Sequence, residues 1–313
     1  MLKNLIAEQA VTIGLVGFGA MGSGVASSLS RSGFNVATTL EGRSTRTRSR
    51  AEQIGITVHD SLGALVDRAD LIVSLVPADQ ATAAAEAVAQ HLLRPSQRQR
   101  PERLLFLDAN AITPSKATRI AEIVSAAGAS FLDGCIIGPP PQPSKSWTRV
   151  YVSGEGAAAL CAMANDEMTI TDLGSGRVTA TQLKVLFAAI NKGTVALLAN
   201  VFAAARLHGL EDRIRAELSG VRPELIAILE VQAAGVLDKA ARWAIEMEDL
   251  AEGLVELGVD GGYHTAAAQG YRRLAENLLR LTDDPAAPAE PLDRLLANWL
   301  LVSDLGIDGR GRG

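Results

Sequence analysis

The chain has few cysteines, few histidines and only 4% aromatic residues among its 313 residues. Two cysteines, Cys135 and Cys161, are too few for a disulfide framework, so we expect free thiols in a reducing cytoplasm. The four histidines and two cysteines show no metal-ligand spacing, and no metal site is predicted. A net charge of −5 gives no basic surface for nucleic acid. No secretory signal is evident, and without a run of about 18 apolar residues no membrane span is expected.

The first half of the chain alternates short apolar runs with helical segments. Six runs end near residues 16, 40, 59, 76, 108 and 133, and two further strand candidates lie at 150–153 and 168–170. Apolar strands separated by helices are typical of a parallel sheet covered on both faces. After about residue 178, apolar residues recur at helical spacing only, which predicts helices at 179–207, 223–232, 236–257, 263–282 and 291–304.

A glycine-rich turn follows the first strand and opens a helix: Gly17-Phe18-Gly19-Ala20-Met21-Gly22. Gly17 permits a tight turn, Gly19 lets the backbone approach a pyrophosphate, and Gly22 lets helix and strand pack closely. The helix start offers unpaired N–H groups to an anion. We therefore predict an α/β fold with an N-terminal Rossmann-like doubly wound parallel sheet at residues 1–178, which binds a dinucleotide, and an all-α domain at 179–313.

The segment after the second strand bears on the choice of cofactor. Glu41 could accept a hydrogen bond from the ribose 2′-hydroxyl of NAD. Arg43, followed by Ser44 and Thr45, instead suits a 2′-phosphate, because a guanidinium fork matches phosphate oxygens. On balance the segment favours NADP.

Two later positions are candidates for the cofactor site. Val76 and Pro77 end the fourth strand at the carboxyl edge of the sheet, where a dinucleotide passes. Asn110 could orient the nicotinamide amide or a substrate oxygen, or it could simply form the turn before Pro114.

Four segments together resemble the β-hydroxyacid dehydrogenase and 6-phosphogluconate dehydrogenase superfamily. They are the Gly17–Gly22 turn, Asp108–Pro114 (similar to D-x-S-T-x-x-P), Asp133–Gly138 (at the place of a substrate loop, D-A-P-V-S-G-G) and Gly174–Gly176 followed by Lys184. Residues 242–249 resemble a divergent subgroup with an uncharacterised C-terminal helical domain. The resemblance implies a Rossmann-like domain, hydride transfer between nicotinamide and a small molecule, and dimerisation through the helices.

The resemblance makes Lys184 the catalytic candidate. An apolar surrounding disfavours the charged form of a lysine, which would let it exchange a proton with substrate. The alternative is a surface lysine that extends its amine into water. The asparagine that the family places one turn later is Ala188 here. Asn191 lies two turns along on the same face, where it could contact the distal part of a larger substrate or fill a packing defect.

Other positions depart from the family pattern. Ile137, before Gly138, replaces the substrate-loop serine, and Glu248 stands where relatives often carry lysine. These changes favour an acidic, apolar pocket suited to a cationic group such as a protonated imine. His264 could be an acid in that pocket or an ordinary residue at a helix start.

Three functions remain open from the sequence. The leading hypothesis is an NADP-dependent dehydrogenase or reductase acting on C=O/CH–OH, the second is an NADPH-dependent imine reductase, and the third is a non-catalytic NADP-binding sensor. The helices of the second domain have more apolar surface than one monomer can bury, which predicts a homodimer.

Overall fold

The computed structural model describes residues 11–94, 103–145, 147–280 and 289–300. The chain divides into two compact units, Met1–Val185 and Leu186–Gly313. The division falls inside the long helix that begins at Thr179, whereas the boundary predicted from the sequence lies at the start of that helix.

The first unit contains one eight-stranded sheet. Its strands are β1 Thr12–Val16, β2 Asn35–Thr39, β3 Thr57–His59, β4 Leu71–Ser74, β5 Leu105–Asp108, β6 Ser130–Ile137, β7 Thr148–Ser153 and β8 Met168–Asp172. They lie in the order β3-β2-β1-β4-β5-β6-β7-β8, with every neighbouring pair parallel except β6 and β7. The first six strands follow the Rossmann order, so the predicted doubly wound sheet is confirmed.

Helices cover both faces of this sheet. They are α1 Ala20–Arg31, α2 Thr45–Ile54, α3 Leu62–Arg68, α4 Ala81–Leu92 and α5 Pro114–Ala126, with a 3₁₀ helix at Ala157–Met163. Successive strand residues point to opposite faces, so the sheet contributes side chains to two apolar cores. Leu15, Val73 and Leu107 belong to the core under α1, and Ile72 and Phe106 belong to the core under α4 and α5.

The remaining described elements are helices: α6 Thr179–Leu207, α7 Glu211–Val221, α8 Pro223–Leu237, α9 Ala240–Glu256, α10 Gly262–Arg280 and α11 Pro291–Trp299. No described residue after Asp172 forms a strand, which agrees with the predicted all-α region. The predicted helix ends at 281–282 and 301–304 lie outside the described residues.

Helix α7 was not predicted. It has no buried residue, so the apolar periodicity that identifies a helix is missing. Ion pairs instead surround its first turns, since Glu211 bonds both Arg206 at 2.6 Å and Arg215 at 3.2 Å.

Helix α6 is long and apolar enough to cross a membrane, with a mean hydropathy of 1.6 over 18 residues. Half of that window (50%) is buried within the chain. A core helix of a soluble protein has the same length and hydropathy, so α6 is only a weak indication of a membrane span.

Candidate functional site

The turn between β1 and α1 has the geometry of a phosphate cradle. Gly17 has φ +100°, and a Cβ there would lie 2.2 Å from the Leu75 carbonyl oxygen. A Cβ on Gly22 would lie 2.1 Å from the carbonyl oxygen of Gly17. Gly19 differs, because it is exposed and a Cβ on it would meet no atom within 4 Å. The chain thus needs glycine at 17 and 22 for its own packing and leaves open space above the backbone at 19.

The start of α1 offers backbone donors beside that space. Gly19 precedes the helix without a side-chain cap, and the first turn closes with the Ser23 N–H donating to the Gly19 carbonyl at 2.9 Å. The N–H groups of Ala20, Met21 and Gly22 come before this bond and point out of the helix start, which attracts anions. These features fit a dinucleotide pyrophosphate.

Two side chains of this turn pack in the apolar core. Phe18 is buried, and the half-buried Met21 packs against the core under α1. Because these side chains pack in the core, the part predicted for Phe18 and Met21 in cofactor binding falls to their main-chain groups.

The loop after β2 places a cation and a hydroxyl at a second helix start. The Ser44 side chain caps α2 by accepting from the Thr47 N–H at 3.4 Å. Arg43 is half-buried directly before this cap. The Arg48 guanidinium donates to the Leu40 carbonyl at 3.0 Å. Glu41, in the same loop, is exposed.

Asn110 joins the carboxyl ends of β4 and β5. Its Oδ1 accepts from the Val76 N–H at 2.7 Å, and its Nδ2 donates to Ser74 Oγ and to Asp108 Oδ2, each at 3.0 Å. Its own N–H donates to Asp108 Oδ1 at 3.0 Å. Both polar ends of the side chain are therefore engaged within the protein, and Asn110 fixes the segment that carries Val76 and the exposed Pro77.

A buried polar row crosses four adjacent strands at the level of Asn110. Ser74 pairs with Asp108, Asp108 with Asp133, and Asp133 with Ser153. Burial raises the pKa of Asp108 to about 7 and that of Asp133 to about 6. Both aspartates lie in segments that carry the family resemblance, but neither was assigned a role from the sequence. The available signal was an acidic residue in each of two apolar strands that were expected to be buried.

Lys184 contacts the strand that leads into the substrate loop. Its Nζ donates to the Ile136 carbonyl oxygen at 2.6 Å. Ile137 follows and is buried, and Gly138 has φ +112° with its Cβ position 2.2 Å from the Trp147 carbonyl. The structure thus places the Lys184 ammonium on the strand residue directly before Ile137 and Gly138. Lys184 is half-buried rather than extended into water.

The same loop continues over α1. A Cβ on Gly24 of α1 would lie 3.0 Å from a Pro140 side-chain atom and 3.1 Å from Pro141. The Thr148 hydroxyl donates to the Pro139 carbonyl at 2.7 Å and holds the loop from the other side. The candidate substrate loop and the helix of the phosphate cradle are therefore packed together.

The other candidates lie in the second unit. Asn191 is half-buried on α6, and His264 is in the first turn of α10, where its Nε2 lies 3.2 Å from the Ala189 carbonyl. Tyr263 beside it donates to the Gly193 carbonyl at 2.6 Å. These contacts fit the interpretation of His264 as a residue at a helix start.

Glu248 does not create the acidic pocket that the sequence suggested. It is exposed on α9 and forms an ion pair with Arg272 of α10. Its charge is therefore offset at the protein surface. The substitution of lysine by glutamate was visible in the sequence, but the arginine opposite it comes from another helix.

Among the described residues, no group of three or more histidines, cysteines or acidic residues could hold a metal ion. Both cysteines are free, and Cys135 is buried. Burial raises the pKa of the Cys135 thiol to about 12 despite the opposing effect of Lys184, so this thiol is not a nucleophile at neutral pH.

Two family models match separate parts of the chain. Residues 12–163 match the NAD binding domain of 6-phosphogluconate dehydrogenase, and residues 205–274 match a domain of unknown function (DUF1932). A Methanothermus fervidus protein, described as an uncharacterized 28.5 kDa protein in the 7S RNA 5′ region, is 26% identical over 202 residues, which cover 64% of this chain and 74% of that protein.

Solved structures share the fold. The conserved protein MTH1747, reported as structurally similar to 3-hydroxyacid dehydrogenases, aligns with a TM-score of 0.68 and 25% identity, over 86% of this chain and 99% of its own. Mycobacterium tuberculosis 3-hydroxyisobutyrate dehydrogenase, with L-serine, gives 0.67 and 17%, over 92% and 98%. An imine reductase from Myxococcus stipitatus in complex with NADP+ gives 0.53 and 18%, over 85% and 94%.

Proposed function

We propose that this chain is an NADP-dependent oxidoreductase acting on the carbonyl or hydroxyl carbon of a small molecule. The match of residues 12–163 to the NAD binding domain of 6-phosphogluconate dehydrogenase supports this proposal. The observation that carries the proposal is the Lys184 ammonium, held 2.6 Å from the Ile136 carbonyl beside the loop that begins at Ile137 and Gly138.

The cofactor would bind along the carboxyl edge of the sheet. The N–H groups at the start of α1 would hold the pyrophosphate above Gly19, and Val76 and Pro77 would border the path toward the nicotinamide. A bound nicotinamide would supply the hydride for reduction of the carbonyl carbon, or accept it in oxidation of the alcohol.

Lys184 would move the proton. In reduction, its ammonium donates a proton to the oxygen that gains negative charge, and in oxidation, its neutral amine takes the proton from the hydroxyl. The Ile136 carbonyl accepts one N–H of the ammonium and so fixes the position of the charged group beside the loop. Ile137 and Gly138 would form the wall beside the substrate.

The preference for NADP rests on Arg43 and Ser44. A guanidinium next to the capped start of α2 gives a 2′-phosphate both a bidentate donor and the positive end of a helix. The exposed Glu41 is the feature that would suit NAD instead.

Reduction of C=N bonds is the second candidate. It is favoured by Ile137, which offers no hydroxyl to a substrate carboxylate, and by Ala188, which stands at the family's asparagine position. Glu248 lends it no support, because this carboxylate is paired with Arg272.

We further propose a homodimer in the cytoplasm, with no nucleic-acid or membrane partner. Support comes from the free cysteines and from an exposed apolar face on α6 that includes Leu186, Ile190, Leu197 and Val201. Their spacing of four, seven and four residues places them on one side of the helix.

The direct test is oxidation of NADPH by the purified protein with matched panels of 2-keto or 3-keto acids and of cyclic imines. We expect turnover of keto acids that falls at least 100-fold in Lys184→Ala and is unchanged in Lys116→Ala, a lysine on α5. Turnover confined to imines that survives in Lys184→Ala would establish the second candidate. Tight NADPH binding with no turnover in either panel would overturn both in favour of a sensor.

A further inference from the structure

The first turn of α6 is attached to the sheet by one buried carboxylate. Asp133 of β6 accepts from the Thr181 N–H at 2.8 Å and from the Thr181 hydroxyl at 2.5 Å. It also accepts from the Ser153 hydroxyl at 3.2 Å, and Ser153 Oγ accepts in turn from the Ala180 N–H at 3.1 Å. Asp133, Ser153 and Thr181 are all at most 1% exposed.

This arrangement satisfies groups that a helix start leaves without partners. The N–H groups of the first helical turn have no intrahelical acceptor, and leaving them unbonded away from water costs free energy. A carboxylate at this end also interacts favourably with the helix dipole. Asp133 therefore fixes both the position and the direction of the first turn of α6.

Lys184 lies one turn after Thr181 and returns to the same strand. Its Nζ donates to the carbonyl of Ile136, three residues after Asp133. Strand β6 thus holds α6 at two points, through the Asp133 side chain and the Ile136 carbonyl. A helix that lost the first contact could rotate or slide on the strand, and the ammonium would move with it.

We propose that Asp133 is a positioning residue for Lys184, acting through the first turn of α6. The inference rests on the proposed function in so far as Lys184 is the proton donor. Asp133 is fully buried and its carboxylate accepts hydrogen bonds from Ser153 and Thr181, so it acts on the reaction through the helix that carries Lys184. Its effect on the reaction is to hold the ammonium where the substrate oxygen arrives.

The matched variants are Thr181→Val and Thr181→Ser. Valine keeps the shape of threonine and removes the hydroxyl that donates to Asp133, whereas serine keeps the hydroxyl. Asp133→Asn is a stronger change, because it removes the charge and replaces one acceptor by a donor. Thr181→Val keeps the test decisive if Asp133→Asn does not fold.

The first readout needs no substrate. The protein has six lysines, so selective ¹³Cε labelling gives a simple NMR spectrum in which loss of a signal in Lys184→Arg identifies Lys184. We expect Thr181→Val and Asp133→Asn to move this signal toward the signals of exposed lysines, and Thr181→Ser to leave it in place. An unmoved Lys184 signal in Thr181→Val would overturn the inference, whatever the enzyme's substrate is.

The second readout is kinetic and uses the panel compound that the wild type turns over fastest. We expect Thr181→Val to lower kcat about tenfold and Asp133→Asn about 100-fold, with the Kd for NADPH within twofold of wild type. Adding Asp133→Asn to Lys184→Ala should lower the residual rate no further, whereas a general structural defect would lower it in both backgrounds.

The two proposals fail in different ways. Full activity of Lys184→Ala would refute the role of Lys184 in the reaction, while the NMR result would still decide whether Asp133 positions it. An inactive Lys184→Ala together with normal kcat in Asp133→Asn would refute the positioning role alone.

Discussion

Asp108 and Asp133 occupy paired positions on the neighbouring parallel strands β5 and β6, and their exposed fractions are only 1% and 0%. Burial raises the pKa of each carboxyl, and the charge of Asp133 raises that of Asp108 further. Asn110 bonds one of them and Thr181 bonds the other. The sheet therefore carries two coupled acids between the segment that holds Val76 and the helix that holds Lys184.

These acids predict an unusual dependence of stability on pH. Their folded pKa values, about 7 and about 6, lie above the ordinary value of 3.8, so the folded protein binds these protons more tightly than the unfolded chain. The associated stability is present in full below about pH 4 and is lost as the pH rises through about 6 to 7. Replacing Asp108 by asparagine removes the larger contribution.

We expect the Tm of Asp108→Asn, relative to wild type, to rise between about pH 5 and about pH 8. Thermal unfolding across this range measures it, with Asp166→Asn, an exposed carboxylate, as the control. Parallel Tm curves for wild type and Asp108→Asn would show that the Asp108 pKa is not raised.

The two kinds of glycine in the cradle predict opposite phenotypes. Gly17→Ala places a Cβ 2.2 Å from the Leu75 carbonyl at a φ of +100°, and should lower the free energy of unfolding by about 3 kcal/mol or more. Gly19→Ala meets open space, so it should keep the wild-type Tm and weaken NADPH binding at least tenfold. Calorimetry and NADPH fluorescence titration separate the two. Normal NADPH affinity in Gly19→Ala would show that phosphate does not approach this backbone.

Replacing Arg43 tests whether the site prefers NADPH to NADH. We expect Arg43→Ala to raise the Kd for NADPH by about tenfold to 100-fold, because a charge-assisted bidentate contact is lost. The Kd for NADH should change less than twofold, and Arg46→Ala, an exposed arginine on α2, should affect neither. Equal losses for NADPH and NADH in Arg43→Ala would contradict a 2′-phosphate contact.

The exposed face of α6 predicts the oligomeric state. Ile190 is 72% exposed on a helix with a mean hydropathy of 1.6, and the surrounding apolar residues make a surface that a second copy would bury. Analytical ultracentrifugation at about 10 µM should give a dimer for wild type and for Val58→Lys, which changes an exposed residue of the edge strand β3, and a monomer for Ile190→Lys. A monomeric wild type would refute the proposal.

Much of the fold could be predicted because its signals are local. An apolar run bounded by turn residues predicts a strand, and a glycine turn between a strand and a helix predicts a cradle. Helix α7 has no such local signal. It buries no residue. Ion pairs between Glu211 and two arginines stabilise it instead of an apolar face.

Candidate residues could be identified where the signal lies within one segment. Contacts between side chains of separate segments could not be predicted. Glu248 looked like an isolated anion until the structure placed Arg272 of the next helix beside it. Asn110 was identified from its place before Pro114, but its side-chain bonds to Ser74, Val76 and Asp108 join separate segments and could not be predicted.

By itself, the sequence determined the Rossmann-like sheet, the glycine cradle and the helical second half, because periodicity and glycine placement act within a few residues along the chain. The tertiary structure decided that Asp133 caps the helix of Lys184 and that Lys184 rests on the carbonyl of Ile136. Those contacts join residues 48 positions apart. Their existence depends on strand register and on burial, which strengthens such bonds and makes their loss costly, and neither is written in any single segment.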